Sequence, residues 1–211
     1  MSARLVVLAS GWGSNAQSII DAEKAQLLDV QVVGVVSNHL DAFVLTRARD
    51  AAIPAFHVGR EEGEDRHTYD SRLAHVVKAL KPDVVVLAGW MRILSNHFIT
   101  AVDAPIINVH PALPGEFAGT QAIERAFAER DSGRVSSGVM VHLVPDEGVD
   151  DGPVLGTTVV PILESDMLED FATRMHQAEH HLLVNVLSQF TCQCSQSVHS
   201  DYLTSIFLKG N

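Results

Sequence analysis

Three groups of residues in this sequence have the types and spacing to do chemistry. Asn108 and His110 stand two apart in Ile106-Ile107-Asn108-Val109-His110-Pro111, so a strand there puts both on one face. An amide donor beside an imidazole is equipment for stabilising an oxyanion; the plainer account is a pair of core side chains satisfied by backbone. Pro111, Pro114, Gly115 and Gly119 follow and make a stiff, exposed loop suited to a pocket wall. The second group is the acidic turn with Asp146, Glu147, Asp150 and Asp151 before Gly152-Pro153. Crowded carboxylates raise one another's pKa and can leave one poised as a general base, or they form a solvated turn or an adventitious cation site. The third is Gly11-Trp12-Gly13-Ser14-Asn15-Ala16, directly after Leu5-Val6-Val7-Leu8-Ala9-Ser10. Its glycines allow a tight turn into a helix N-terminus, where free amide N–H groups bind anions.

That hexamer is formally G-x-G-x-x-A, the dinucleotide fingerprint, so a nicotinamide-binding module is a rival reading. Such a site wants an acid about 20 positions on, at the end of the second strand. The sequence there reads Ser37-Asn38, and Asp41 has the place of a helix cap, so a monophosphate site of Gly13, Ser14 and Asn15 is preferred. His176-x-x-Glu179-His180 spells H-x-x-E-H, a zinc peptidase signature. A further protein ligand is needed, and the only acid beyond His180 is Asp201, so no metal is expected.

The elements that must hold these groups follow from hydrophobic patterning. Leu5 to Ala9, Val30 to Val36, Val84 to Ala88 and Ile106 to His110 are apolar nearly throughout, as strands covered on both faces of a parallel sheet are. Val139 to Val144 and Val154 to Ile162 are two more strands, joined by the acidic turn. Ser14 to Leu28 and Asp41 to Ala51 read as helices. Tyr69, Leu73, Val76 and Leu80 lie on one helical stripe, as do Leu168, Phe171, Met175, Ala178 and Leu182. The alternation predicts an α/β fold: a single doubly wound, mostly parallel, Rossmann-like sheet with an antiparallel C-terminal strand portion and a long C-terminal helix.

With 211 residues, 46 % of them apolar, the chain has enough material for one core. We read residues 1–190 as a catalytic domain and 191–211, rich in Thr, Cys, Gln and Ser, as a tail of uncertain order. Fifteen Lys and Arg against 26 Asp and Glu leave a formal charge of −11, which repels phosphate backbones and anionic lipid, so neither nucleic acid nor membrane is an expected partner. No apolar run approaches the roughly 20 residues of a membrane span. The short run after Arg4 is too weak for a signal peptide, and Cys192 and Cys194 make no disulfide framework. A reducing cytoplasm is the expected location.

Taken together, Gly13-Ser14-Asn15, Asp83 to Gly89, Met91-Arg92-Ile93-Leu94, Asn108-Val109-His110-Pro111, Val141-His142-Leu143-Val144, Val149 to Pro153 and Glu179-His180 resemble the folate-dependent formyltransferase family. The Gly-Ser-Asn turn is similar to that of its phosphoribosylglycinamide formyltransferase branch. The resemblance implies transfer of a formyl group from 10-formyltetrahydrofolate to the amine of glycinamide ribonucleotide in purine synthesis, with no metal. It implies that Asn108 and His110 steady the oxyanion and that Asp150 sets His110 and helps move a proton. Gly13, Ser14 and Asn15 would hold the phosphate, and Glu179 the ribose or glycinamide portion. Arg66, Met91, Arg92, Ile93, Leu94, Asn108 and Asp146 would line the folate site. The chain departs from the family at Ala112 to Gly119, at Gln121 in place of a His, and at an extra Gly148. That insertion leaves Asp151 open as the acid, with Asp150 preferred for standing three before Pro153.

Two other folate-dependent enzymes are rivals. A methionyl-tRNA formyltransferase wants a basic extension, and a formyltetrahydrofolate hydrolase wants an N-terminal regulatory domain, neither of which the sequence presents. The implied partners are the two small-molecule substrates, with the protein a monomer or homodimer.

Overall fold

A computed structural model describes residues 2–196. Strands β1 (Ala3–Leu8), β2 (Val30–Ser37), β3 (Ala55–His57), β4 (Val84–Leu87), β5 (Ile106–His110), β6 (Ser136–Leu143) and β7 (Val154–Pro161) form one sheet in the order β3-β2-β1-β4-β5-β6-β7. The first five run parallel, β6 is antiparallel to β5, and β7 antiparallel to β6. The helices are α1 (Ser14–Lys24), α2 (Phe43–Asp50), α3 (Arg66–Ala79), α4 (Asn96–Val102), α5 (Ala122–Ala128) and α6 (Leu168–Gln196). This is the doubly wound, mostly parallel sheet with an antiparallel portion and a long last helix that the sequence predicts.

Alternation along β1 shows why the strands are apolar on both faces. Leu5, Val7 and Ala9 enter a core with residues of α1, α2, α5 and α6, while Val6 and Leu8 enter a second core with α3 and α4. Each fully buried Leu or Val removes enough apolar surface from water to contribute about 1.5–3 kcal/mol. Because β1 pairs β2 on one side and β4 on the other, the chain reverses its winding there. The carboxyl ends of β1, β4 and β5 therefore open onto one crevice, the usual ligand position in such sheets.

Several element boundaries differ from expectation. α1 stops at Lys24 rather than Leu28, because Ala25 caps it and Gln26 turns left-handed at φ 58°. Asp41 does not cap α2: the N-cap is Ala42, without a side-chain hydrogen bond, and the Val44 amide donates to the Gly11 carbonyl at 3.1 Å instead. β3, α4 and α5 escape the sequence patterning because they span three, seven and seven residues, too short to show a period. α6 continues past Phe190, so 191–196 of the expected tail are helical, and 197–211 lie outside the described residues. No helix among the described residues is long and apolar enough to cross a membrane.

Candidate active site

The crevice is a cleft of about 960 Å³. Its walls come from the Ser10–Asn15 turn, the Leu87–Leu94 segment, the end of β5, the loop before α5, the acidic loop after β6, and one face of α6. That volume is at the large end of the range for small-molecule sites. The residues expected to hold phosphate, Gly13, Ser14 and Asn15, line it with Glu179, expected at the ribose or glycinamide portion, as do Asn108, His110, Asp146, Asp150 and Met91 to Leu94.

At one end, β1 leads into a turn whose Gly13 has φ 76°, and a Cβ there would lie 2.5 Å from Val44 Cβ. Only glycine lets the turn pack this closely on α2. Gly13 is also the N-cap of α1 and offers no side-chain cap, so the first-turn amides of α1 have no partner within the helix. α3 and α4, by contrast, are capped by Asp65 and Ser95. Packing of α1 on α6 brings Asn15 Nδ2 to donate to Glu179 Oε1 at 3.2 Å, with both residues buried. The other Glu179 oxygen lies 2.7 Å from His176 Nδ1, a bond that pushes the His176 pKa up against the opposing effect of burial. Asn15 Oδ1 and Trp90 Nε1, both on cleft-lining residues, are buried and meet no partner in the structure.

At the other end, Asp150 is the hub. Asn108 Nδ2 donates to its Oδ1 at 3.0 Å, the Gly119 amide donates to its Oδ2 at 2.8 Å, and His110 Nδ1 lies 3.3 Å from the same Oδ2. Asp150 takes a left-handed φ of 56°, which Asp tolerates better than most residues. Burial pushes its pKa up, but the nearness of His142, the bond from the Gly119 amide and the His110 imidazole outweigh this, leaving it below the ordinary value. Asp150 is therefore a carboxylate at neutral pH. For His110, burial dominates and lowers the pKa despite Asp150 and the Phe117 carbonyl. It is neutral, with Nε2 3.1 Å from Phe117 O and Nδ1 facing Asp150, so its one proton serves either acceptor.

His142 also belongs to this cluster, paired across the strands with Asn108. Its Nδ1 donates to the Leu143 carbonyl at 2.8 Å, which leaves Nε2 to accept from Asn108 Nδ2 at 3.1 Å. Sequence reasoning assigned no role to His142; the available signal was a single polar residue in the apolar run Val139 to Val144. Asp151, the alternative acid, is exposed and lies against Gly148.

Arg66 stands off the cleft lining. It pairs with Glu147 at 2.9 Å, and its Nη2 donates to the Ile93 carbonyl at 3.4 Å. Glu147 in turn accepts the Asn96 amide at 2.8 Å, so this network ties the Met91–Leu94 segment to the acidic loop. Buried Asp70 adds a bond from the Ser95 amide at 3.0 Å. Arg92 lies over the Tyr69 ring at 4.5 Å, Leu94 is buried, and Met91 and Ile93 are exposed at the rim. Gln121 lines the cleft as the left-handed N-cap of α5. Among the described residues, no cluster of three or more His, Cys, Asp or Glu side chains is arranged to hold a metal ion.

A neutral imidazole, an amide and an ionised carboxylate thus converge on one wall, with an uncapped helix N-terminus across the cleft. Residues 3–187 match the formyl transferase family. The phosphoribosylglycinamide formyltransferase of Schizosaccharomyces pombe is 43 % identical over 202 residues, covering 90 % of this chain and 97 % of that protein. The enzyme of the same name from Escherichia coli is 39 % identical over 186 residues, covering 88 % and 86 %. The crystal structure of glycinamide ribonucleotide transformylase 1 from Symbiobacterium toebii superposes with a TM-score of 0.84 at 34 % identity, covering 91 % of this chain and 89 % of that one.

Proposed function

The chain belongs to the formyl transferase family, and from that premise we propose that it transfers the formyl group of 10-formyltetrahydrofolate to the amine of glycinamide ribonucleotide, as a step of purine biosynthesis. The observation that carries this reading is the convergence of Asn108, His110 and Asp150 on the wall of a cleft whose far end is the uncapped N-terminus of α1. The buried, unpartnered Asn15 Oδ1 and Trp90 Nε1 fit a polar occupant, since such atoms cost about 1–3 kcal/mol when left unpaired.

The phosphate lies against the amides of Gly13, Ser14 and Asn15, and Glu179 takes the ribose or glycinamide portion. The folate occupies the part of the cleft lined by Met91 to Leu94 and Asp146, with Arg66 at its border. The amine nitrogen attacks the formyl carbon, and the new C–N bond puts negative charge on the formyl oxygen. Asn108 Nδ2 and the His110 imidazole are the donors for that charge; in the structure they bind Asp150, His142 and the Phe117 carbonyl, and the oxyanion takes over one bond from each. One oxyanion donor is worth about 3–4 kcal/mol. The intermediate then releases N10 of tetrahydrofolate as the carbon–N10 bond breaks. One net proton moves from the attacking nitrogen to N10, and Asp150, ionised and placed between the two donors, is the relay.

The partners are these two small molecules, the catalytic domain covers residues 1–190, the location is the cytoplasm, and the protein works as a monomer or homodimer without nucleic acid. The test is tetrahydrofolate release from 10-formyltetrahydrofolate with and without glycinamide ribonucleotide. Release only in the presence of the ribonucleotide supports the reading, whereas ribonucleotide-independent release would assign a hydrolase.

A further inference from the structure

We propose that Arg47 of α2 is a positioning residue for the phosphate turn, acting through the Trp12 carbonyl; this rests on the function proposed above. An anion can use the α1 N-terminus only if the preceding carbonyls of Gly11 and Trp12 point elsewhere, because a carbonyl oxygen aimed at a phosphate repels it. Both are held from behind by α2. The Val44 amide donates to Gly11 O at 3.1 Å, and Arg47 Nε donates to Trp12 O at 2.9 Å. The same guanidinium donates from Nη1 to Gln17 Oε1 at 3.1 Å, one turn into α1. It lies 5.1 Å from the Trp12 ring centroid and 4.9 Å from that of Phe43, and the two rings stack at 4.4 Å.

Arg47 thus spans the turn and the helix it feeds, with its plane set by two rings. A lysine cannot reproduce this, since a single ammonium does not fork to two acceptors while stacking. The position also supplies charge where it is scarce. The chain carries −11 overall, and among the described residues Arg92 is the one Arg or Lys lining the cleft, lying over Tyr69 on the folate side. Arg47 places a half-buried cation directly behind the amides that meet the phosphate.

Arg47→Met keeps the stem and removes the fork. The expected result is a KM for glycinamide ribonucleotide raised about tenfold, the scale of one charged hydrogen bond, with kcat and the KM for the folate within about twofold. Arg47→Lys recovers only part of that loss, and inorganic phosphate inhibits Arg47→Met less well than wild type by a similar factor. Phe43→Leu, which removes one ring and leaves the charge, moves the same KM in the same direction by less, and decides the question if Arg47→Met does not fold. An unchanged ribonucleotide KM, or equal increases in both KM values, would overturn the inference. If the wild-type chain transfers no formyl group, the proposed function fails, and calorimetric titration of inorganic phosphate into wild type and Arg47→Met still decides this point: equal affinities overturn it.

Discussion

Asp150 sets the electrostatics of the catalytic wall, since it is the ionised partner of Asn108 and His110 and accepts the Gly119 amide as well. Asn108→Ala and His110→Ala each remove an oxyanion donor, and we expect kcat to fall about 10²–10³-fold in each, measured at saturating substrates. Asp150→Asn keeps the shape and removes the proton relay, and a fall of about 10²–10⁴-fold is expected. The carboxylate also raises the His110 pKa against the larger effect of burial. In Asp150→Asn the imidazole should therefore titrate at still lower pH, a shift NMR can read directly; an upward shift would contradict the assigned geometry. For the wild type, the acid limb of kcat/KM should lie below the ordinary histidine value of 6.5, because His110 is neutral down to its depressed pKa.

At the scale of elements, two loops reach the cleft only because glycine lies where neighbouring atoms leave no room for a Cβ. The β1–α1 turn depends on Gly13, where a Cβ would strike Val44 and φ is left-handed. Gly13→Ala should cost about 1–3 kcal/mol in urea unfolding and raise the ribonucleotide KM, because α1 must back away from α2. The acidic loop depends on Gly152, where a Cβ would fall 1.9 Å from the Leu143 carbonyl. That carbonyl belongs to the end of β6, whose Leu143 amide donates to Pro153 O at 2.9 Å. Gly152→Ala should push the loop off β6, move Asp150 away from Asn108, and lower kcat more than it lowers Tm; the comparison of kcat with Tm checks this.

For the whole molecule, pH acts on stability through imidazoles of opposite sign: buried His110, partly buried His180 and exposed His176. His110 and His180 are lowered by burial, so the stability they contribute is present above 6.5 and lost as pH falls through their depressed values. His176 is raised by Glu179, so its contribution is full below 6.5 and lost as pH rises through its elevated value. The urea midpoint should therefore drop between about pH 6.5 and pH 5, and His176→Gln should flatten the alkaline side only. The β5–β6 pairing brings His142 beside Asn108 across 34 residues, and the α1–α6 packing brings Asn15 to Glu179 across 164, most of the chain. The two halves of the cleft thus form only when the whole sheet is assembled.

Consecutive residues determined every strand but β3, the shared face of Asn108 and His110, and the glycine turn at the start of α1, because side-chain period and backbone freedom are local properties. Neighbours across the fold were another matter. That Asp150 and not Asp151 turns inward, that His142 completes the cluster, that Arg66 is tied to Glu147, and that Arg47 reaches Trp12 all depend on strand order and loop paths. Asn108 and Asp150 are 42 residues apart, and no periodicity carries information over that distance. Packing of one complete sheet between two helical layers made that choice, since only there do buried polar groups find the partners that burial demands.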